Sequence, residues 1–197
     1  MSKEAVITAS KHVIENPVSG ETIVIHTTAD ETGGTLLAWE LLLAPGGRVP
    51  SSHVHPEQEE RFTVVEGRMK FRIGGRRKIV GPGETVAIPP GTVHSFANPD
   101  REQVRVLVET RPALDMEALL ETAAEMAKAQ RSARRLLPNP VNLALFMRDF
   151  AREVRAPYLP RVLVGLVTGS IAAVARWLRL DLSYRRLRVR SDQRANA

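Results

Sequence analysis

Two short runs of this 197-residue chain carry side chains able to hold a metal ion. His53 and His55 stand one residue apart, Glu60 follows them, and His94 lies further along. On a β-strand, residues i and i+2 face the same side, so the imidazoles of His53 and His55 would converge. Pro56 ends or bends that strand, and residues 60–66 read as the next one, closed by Gly67. A tight reversal between the two would bring Glu60 beside the histidines. His94 follows a Pro89-Pro90-Gly91 turn and so starts a later strand. Imidazole suits iron, nickel, copper and zinc, and a carboxylate oxygen shifts the preference toward manganese or ferrous iron. These ligands on an octahedral ion leave positions open to substrate, water or dioxygen.

A lone His-x-His pair is usually a surface or core feature with no metal. The surroundings separate this pair from that reading. Gly47, His53, His55, Glu60 and Gly67 form one pattern, and Gly83, Pro89, Gly91, His94 and Asn98 form a second across sixteen positions. At background frequencies of about 5–7% per residue type, chance gives the second pattern about once per million starting points.

On these residues the chain resembles the cupin superfamily in its small single-barrel form. The first cupin motif is glycine, five residues, His-x-His, three or four residues, glutamate, six residues, glycine, and Gly47 to Gly67 match it throughout. The second is glycine, five residues, Pro-x-Gly, two residues, histidine, three residues, asparagine, and Gly83 to Asn98 match it without a gap. Fifteen residues separate the motifs, and the resemblance covers roughly residues 18–112. It implies a mainly β fold, an antiparallel β-barrel of the double-stranded β-helix, jelly-roll-like type. It also implies a divalent transition metal inside, iron, manganese, nickel or zinc, bound by His53, His55, Glu60 and His94. Glu60 is in addition the candidate catalytic residue, since a carboxylate that leaves the metal can act as a base. No ligand position departs from the pattern.

The other motif residues have structural readings. Gly47, Gly67, Gly83 and Gly91 suit turns with positive φ or close backbone approach. Pro89 stiffens the approach to His94, and Asn98 is expected to hold a turn through side-chain to backbone hydrogen bonds. Glu57 and Glu59 crowd the first motif but read as solvated loop carboxylates, because Glu60 alone has the motif spacing to Gly67. His12 and His26 fall outside both motifs and read as surface or strand residues.

The elements that must position these residues are legible as short strands. Residues up to about 18 read as an arm or edge strand, and residues 22–27 are β-rich. Leu37, Trp39, Leu41 and Leu43 alternate along residues 35–43. Further strands are expected around His53 and at residues 60–66, 68–73, 76–80, 84–88, 94–97 and 104–110, with Gly74-Gly75 as a hairpin signal. Many short strands punctuated by glycine and proline indicate a sandwich or barrel even without the resemblance. After Arg111-Pro112 the period turns helical. One helix is expected from Met116, capped by Asp115, with an apolar stripe of Met116, Leu119, Leu120, Ala123 and Ala127 and an end near Leu136-Leu137. A second starts at Asn139-Pro140 and carries Leu143, Phe146, Met147, Phe150 and Val154, and a third spans about residues 161–180. The organisation is thus residues 1–112 as barrel with metal site and residues 113–197 as a basic, C-terminal α-helical extension.

Residues 162–175 carry no charge, yet a membrane span needs about 20 apolar residues. That helix therefore reads as buried, against its own barrel or a second protomer, and membrane contact is not expected. Residues 1–112 hold 13 basic and 14 acidic side chains, while residues 113–197 hold 15 and 8. The basicity could grip phosphate, but a solvated basic end is the plainer reading, and without a nucleic-acid motif no such partner is expected. Absence of cysteine excludes disulfides and thiolate ligands and suits a reducing cytoplasm. Residues 1–11 hold no long apolar run, so a secretory signal is not expected. The functional expectation is a cytoplasmic, homodimeric, metal-dependent enzyme on a small organic molecule, of oxygenase or isomerase type. The alternative is a non-enzymatic cupin that binds or senses a small molecule and signals through its helical tail.

Overall fold

A computed structural model of the chain describes residues 12–49, 51–134, 137–157 and 160–189. Nine strands run β1 His12–Asn16, β2 Glu21–Thr27, β3 Leu37–Leu43, β4 Glu59–Glu66, β5 Met69–Ile73, β6 Arg76–Val80, β7 Thr85–Ile88, β8 His94–Ala97 and β9 Val104–Arg111. Four helices follow, α1 Met116–Ser132, α2 Pro140–Asp149, α3 Arg161–Trp177 and α4 Leu182–Leu187. The strands form a six-stranded sheet in the order β1-β2-β3-β9-β4-β7 and a three-stranded sheet in the order β6-β5-β8. All described pairings are antiparallel. The mainly β barrel followed by helices is therefore the observed architecture.

Alternation builds the interior. Leu37, Trp39, Leu41 and Leu43 of β3 are buried, as are Val104, Val106 and Val108 of the paired β9. Phe62, Phe71 and Phe96, from β4, β5 and β8, meet in the core with ring centroids 5.2 to 6.3 Å apart. Such offset and edge contacts join the two sheets by dispersion and quadrupole attraction as well as by area burial.

Several expectations change in detail. Beside His53 the chain forms only isolated bridges, His53 to His94 and Val54 to Arg155, instead of a full strand. Asp115 occupies the N-cap position of α1, but its side chain makes no capping bond. Helix α1 stops at Ser132, with Arg134 at φ 51°, and position 136, near the expected end, lies outside the described residues. Asn139 caps α2 as expected, its Oδ1 accepting from the Val141 and Asn142 amides. Helix α2 ends at Asp149, however, before Val154, and residues 150–155 turn back toward the barrel. Burial of Phe150 and pairing of Arg155 with Val54 outweigh continuation of the helix there.

Within the single chain, the third helix is not buried against the barrel. Helix α3 packs on α2 along a narrow face that includes Ala172 and Ala175, while Leu166 is 65% exposed and Trp177 82% exposed. The short helix α4 was not anticipated from the sequence.

Candidate metal centre

His94 opens β8, where it pairs with Ile73 of β5 and, through a bridge, with His53. That bridge is reciprocal: the His53 amide donates to the His94 carbonyl and the His94 amide to the His53 carbonyl, both at 2.9 Å. Glu60 is the second residue of β4, between Ile88 of β7 and Thr110 of β9. The larger sheet thus contributes the carboxylate, and the smaller sheet, with the segment bridged to it, contributes the imidazoles.

Their side chains meet. One ligand atom from each of His53, His55, Glu60 and His94 lies within 4.8 Å of the other three. Nε2 of His55 and Nε2 of His94 each stand 3.2 Å from Oε2 of Glu60. His55, Glu60 and His94 are buried, and His53 is partly so. The imidazole centroids are 4.3 to 5.2 Å apart.

The opposite edge of each ring is anchored. Nδ1 of His53 lies 3.2 Å from the Ser51 carbonyl, Nδ1 of His55 2.5 Å from the Glu153 carbonyl, and Nδ1 of His94 3.0 Å from the Thr92 carbonyl. A carbonyl only accepts, so each Nδ1 must donate its hydrogen, and in the neutral ring Nε2 is left as a lone pair. Three imidazole lone pairs and a carboxylate sharing one small buried volume repel each other unless a cation or proton lies among them. Backbone anchoring of the far nitrogen is also the arrangement that orients metal-ligating histidines. The ligand chemistry therefore fits a divalent transition metal.

The electrostatics agree. Burial opposes ionisation of Glu60, but the His55 and His94 imidazoles outweigh it and hold the carboxyl well below the usual range. Burial pushes His53 down to about 3, helped by repulsion from His55 and His94. Burial also opposes charge on His55, yet the Glu60 carboxylate, at 3.2 Å, wins and raises it. The same carboxylate that would bind a metal favours the protonated form of His55.

The supporting residues explain the motif spacing. Gly91, at φ 77°, donates its amide to the His55 carbonyl at 2.8 Å, joining the second motif to the first. A Cβ on Gly47 would lie 2.7 Å from Leu43 Cδ1 and 2.9 Å from the Ala44 carbonyl, so close approach demands glycine. Asn98 Nδ2 donates to the carbonyls of Leu43, Ala44 and Glu102, and its Oδ1 accepts from the Asp100 amide. That is the turn-holding role expected of it, extended to the strand end that precedes the histidines.

Glu57, Glu59, His12 and His26 stay outside the cluster. Glu59 contacts Arg61 at 3.4 Å, His12 pairs with Glu121 at 2.9 Å, and His26 lies 3.6 Å from Glu40. Glu57 forms a 2.8 Å ion pair with Arg152 of the extension. The contribution that sequence reasoning missed is that of residues 152–155. Arg155 pairs with Val54, between the two histidines, and the Glu153 carbonyl orients His55. A backbone carbonyl leaves no side-chain signature, so no spacing rule could have found it.

A family model described as a cupin domain matches residues 39–109. Germin-like protein 3-7 of Oryza sativa subsp. japonica is 41% identical over 70 residues, covering 33% of this chain and 30% of that protein. Polyketide synthase CurC of Streptomyces cyaneus is 32% identical over 71 residues, covering 36% of this chain and 46% of that protein. The chain spans less than half the length of either relative. Among solved structures, the polyketide cyclase RemF from Streptomyces resistomycificus is 29% identical with a TM-score of 0.46, over 57% of this chain and 80% of that one. The matched segment holds all four clustered side chains and both glycine-bounded motifs, on an antiparallel barrel. Residues 39–109, with all four clustered side chains among them, thus match a cupin domain.

Proposed function

We propose that this chain is a metal-dependent enzyme acting on a small organic molecule by an oxygenase-type reaction, with an isomerase reaction possible on the same constellation. The observation that supports it is the convergence of three backbone-anchored imidazoles and one ionised carboxylate in a buried volume. His53, His55 and His94 would hold the metal through Nε2. Glu60 would be a fourth ligand, or a base that takes a proton from the substrate when displaced. A bound iron, manganese, nickel or zinc ion would supply Lewis acidity and open positions for an oxygen-bearing substrate. The barrel walls, through Phe62, Phe71 and Phe96, exclude water from the core beneath the site. The Streptomyces cyaneus relative is named a polyketide synthase, so phenols and diketones are the first substrates to screen. The reading keeps a cytoplasmic homodimer with no nucleic-acid partner, in line with the cysteine-free sequence.

The test is metal content followed by turnover. Protein purified without chelator should carry about one divalent ion per chain, and His94→Ala should lose it while remaining folded. Oxygen uptake should then appear with at least one phenol or diketone and vanish in His94→Ala. Metal content near zero in the unmodified protein would overturn the reading.

A sensing cupin is the second reading, and one observation favours it. Residues 152–155 connect the site to the helical extension, so occupancy at His55 can reach α2 through Glu153. Tight ligand binding without turnover, in metal-loaded protein, would decide for it.

A further inference from the structure

Helix α3 reverses the usual arrangement of a surface helix. Its packed face holds small residues, Ala172 and Ala175, against α2, and its solvent face carries Val162, Leu163, Leu166, Val167, Val174 and Trp177. Residues 162–175 hold no charged side chain with which water could interact. Exposed apolar surface continues through Leu178, Leu180 and Leu182 toward α4. An uncovered face of this size marks a contact surface.

Charge accompanies it. Residues 160–189 contain six arginines and one aspartate. Arg176 stands next to Trp177 and lines a cavity of about 540 Å³ at the end of α3 together with Arg148, Arg185, Arg186 and Arg188. Asp149 pairs with Arg148 and Arg188, and Asp181 with Arg185, so the cluster keeps a net positive charge. The barrel segment, residues 1–112, is nearly neutral by comparison, with 13 basic and 14 acidic side chains.

We propose that α3, with the arginines around Arg176, docks the protein in the plane of an anionic lipid bilayer. Both features need covering, and this one partner covers both. Acyl chains accept the aliphatic face, and lipid phosphates accept the guanidinium groups. A second copy could cover the apolar face, but it would bring more arginines and no counter-charge. Nucleic acid could satisfy the arginines but not Leu163, Leu166 and Val167. Trp177 beside Arg176 and Arg179 is the residue pairing favoured at the boundary between hydrocarbon and headgroup. The helix lies on the membrane and does not cross it: at 17 residues it extends about 25 Å, below the hydrocarbon thickness. No described helix is long and apolar enough to span.

The experiment is flotation of the full chain with phosphatidylcholine vesicles, with and without phosphatidylserine, at low and physiological salt. Binding is expected only with phosphatidylserine and should weaken as salt rises. Leu166→Glu should abolish it, and Arg179→Glu should weaken it about fivefold or more, the equivalent of about 1 kcal/mol per basic residue. Trp39 is buried, so in a Trp39→Phe variant the blue shift on binding reports Trp177. Metal content, measured in parallel, should not change in Leu166→Glu or Arg179→Glu. Three results would overturn the proposal: no binding to anionic vesicles, binding insensitive to both substitutions, or a concentration-dependent Trp177 shift with doubled mass and no vesicle affinity. The last would assign the face to a second copy.

Discussion

His55 is held from both sides, Nδ1 by the Glu153 carbonyl and Nε2 by the Glu60 carboxylate. That geometry sets how metal and protons compete. The ordinary imidazole value is 6.5, His55 is raised above it, and His53 is lowered to about 3. Below its raised value, the His55 proton is one the metal must displace, whereas His53 is neutral well above pH 3. Metal affinity should therefore rise by about tenfold per pH unit until pH passes the raised value of His55 and His55 loses its proton unaided. His53 adds a second competing proton only near pH 3. Metal titrations in chelator-buffered solution across pH 5 to 9, with proton release followed by buffer-dependent calorimetry, would check this. A flat profile would mean that His55 carries no proton for the metal to displace.

At the scale of elements, the site depends on how strand ends are fastened. Asn98 follows β8 and ties the end of β3, through the carbonyls of Leu43 and Ala44, to the loop that leads into β9. Asn98→Ala would remove a donor from these carbonyls, although that of Ala44 keeps the Gly47 amide, and should cost about 2–3 kcal/mol, given about 1 kcal/mol per hydrogen bond plus the penalty for an unsatisfied group. Urea unfolding would measure it, and metal affinity should fall as well, because His53 and His94 are bridged just beyond this clamp. A variant as stable as the parent would show that solvent replaces the lost bonds. The sheet edges follow the same logic of local chemistry. Strand β6 lies at the edge of the smaller sheet and exposes Arg76, Arg77 and Lys78, with Arg77 opposite Arg72. Basic side chains on an open edge oppose pairing with another chain, which accounts for them without a binding role.

At the scale of the whole molecule, the barrel and the extension share one site. Residues 150–155 reach back from α2 to pair with Val54 and to seat His55. Arg152 adds an ion pair to Glu57 in the loop between His55 and Glu60. Removal of residues 158–197 should leave metal affinity within a few-fold of the parent, since this fastening stays intact. Removal of residues 113–197 should weaken it by about 10–100-fold, the usual cost of losing an orienting partner of a ligand. Parallel metal titrations of the two truncated chains would separate the outcomes, with circular dichroism confirming that each barrel is folded. Equal affinity in both would mean that His55 holds its orientation without Glu153. The apolar face of α3 belongs to this scale too, because only the packing of α2 beneath it decides which side is left uncovered.

The four clustered side chains were legible before any coordinates because metal chemistry constrains side-chain type and because β periodicity constrains spacing. His53 and His55 at i and i+2, Glu60 at a strand start and His94 after a proline-glycine turn leave few alternatives, and the structure brings the four together. Strand positions were readable for the same reason, since alternation such as Leu37, Trp39, Leu41 and Leu43 records which face is buried. The period of α2 looked continuous to Val154, yet the chain leaves the helix after Asp149, because Phe150 and Arg155 are claimed by contacts distant in sequence. The fate of α3 was hidden similarly: an uncharged stretch records that apolar surface exists but not what covers it. Local patterns carry what side chains demand of their own element. Which carbonyl seats His55, and which apolar face stays open, depend on neighbours that only tertiary packing supplies.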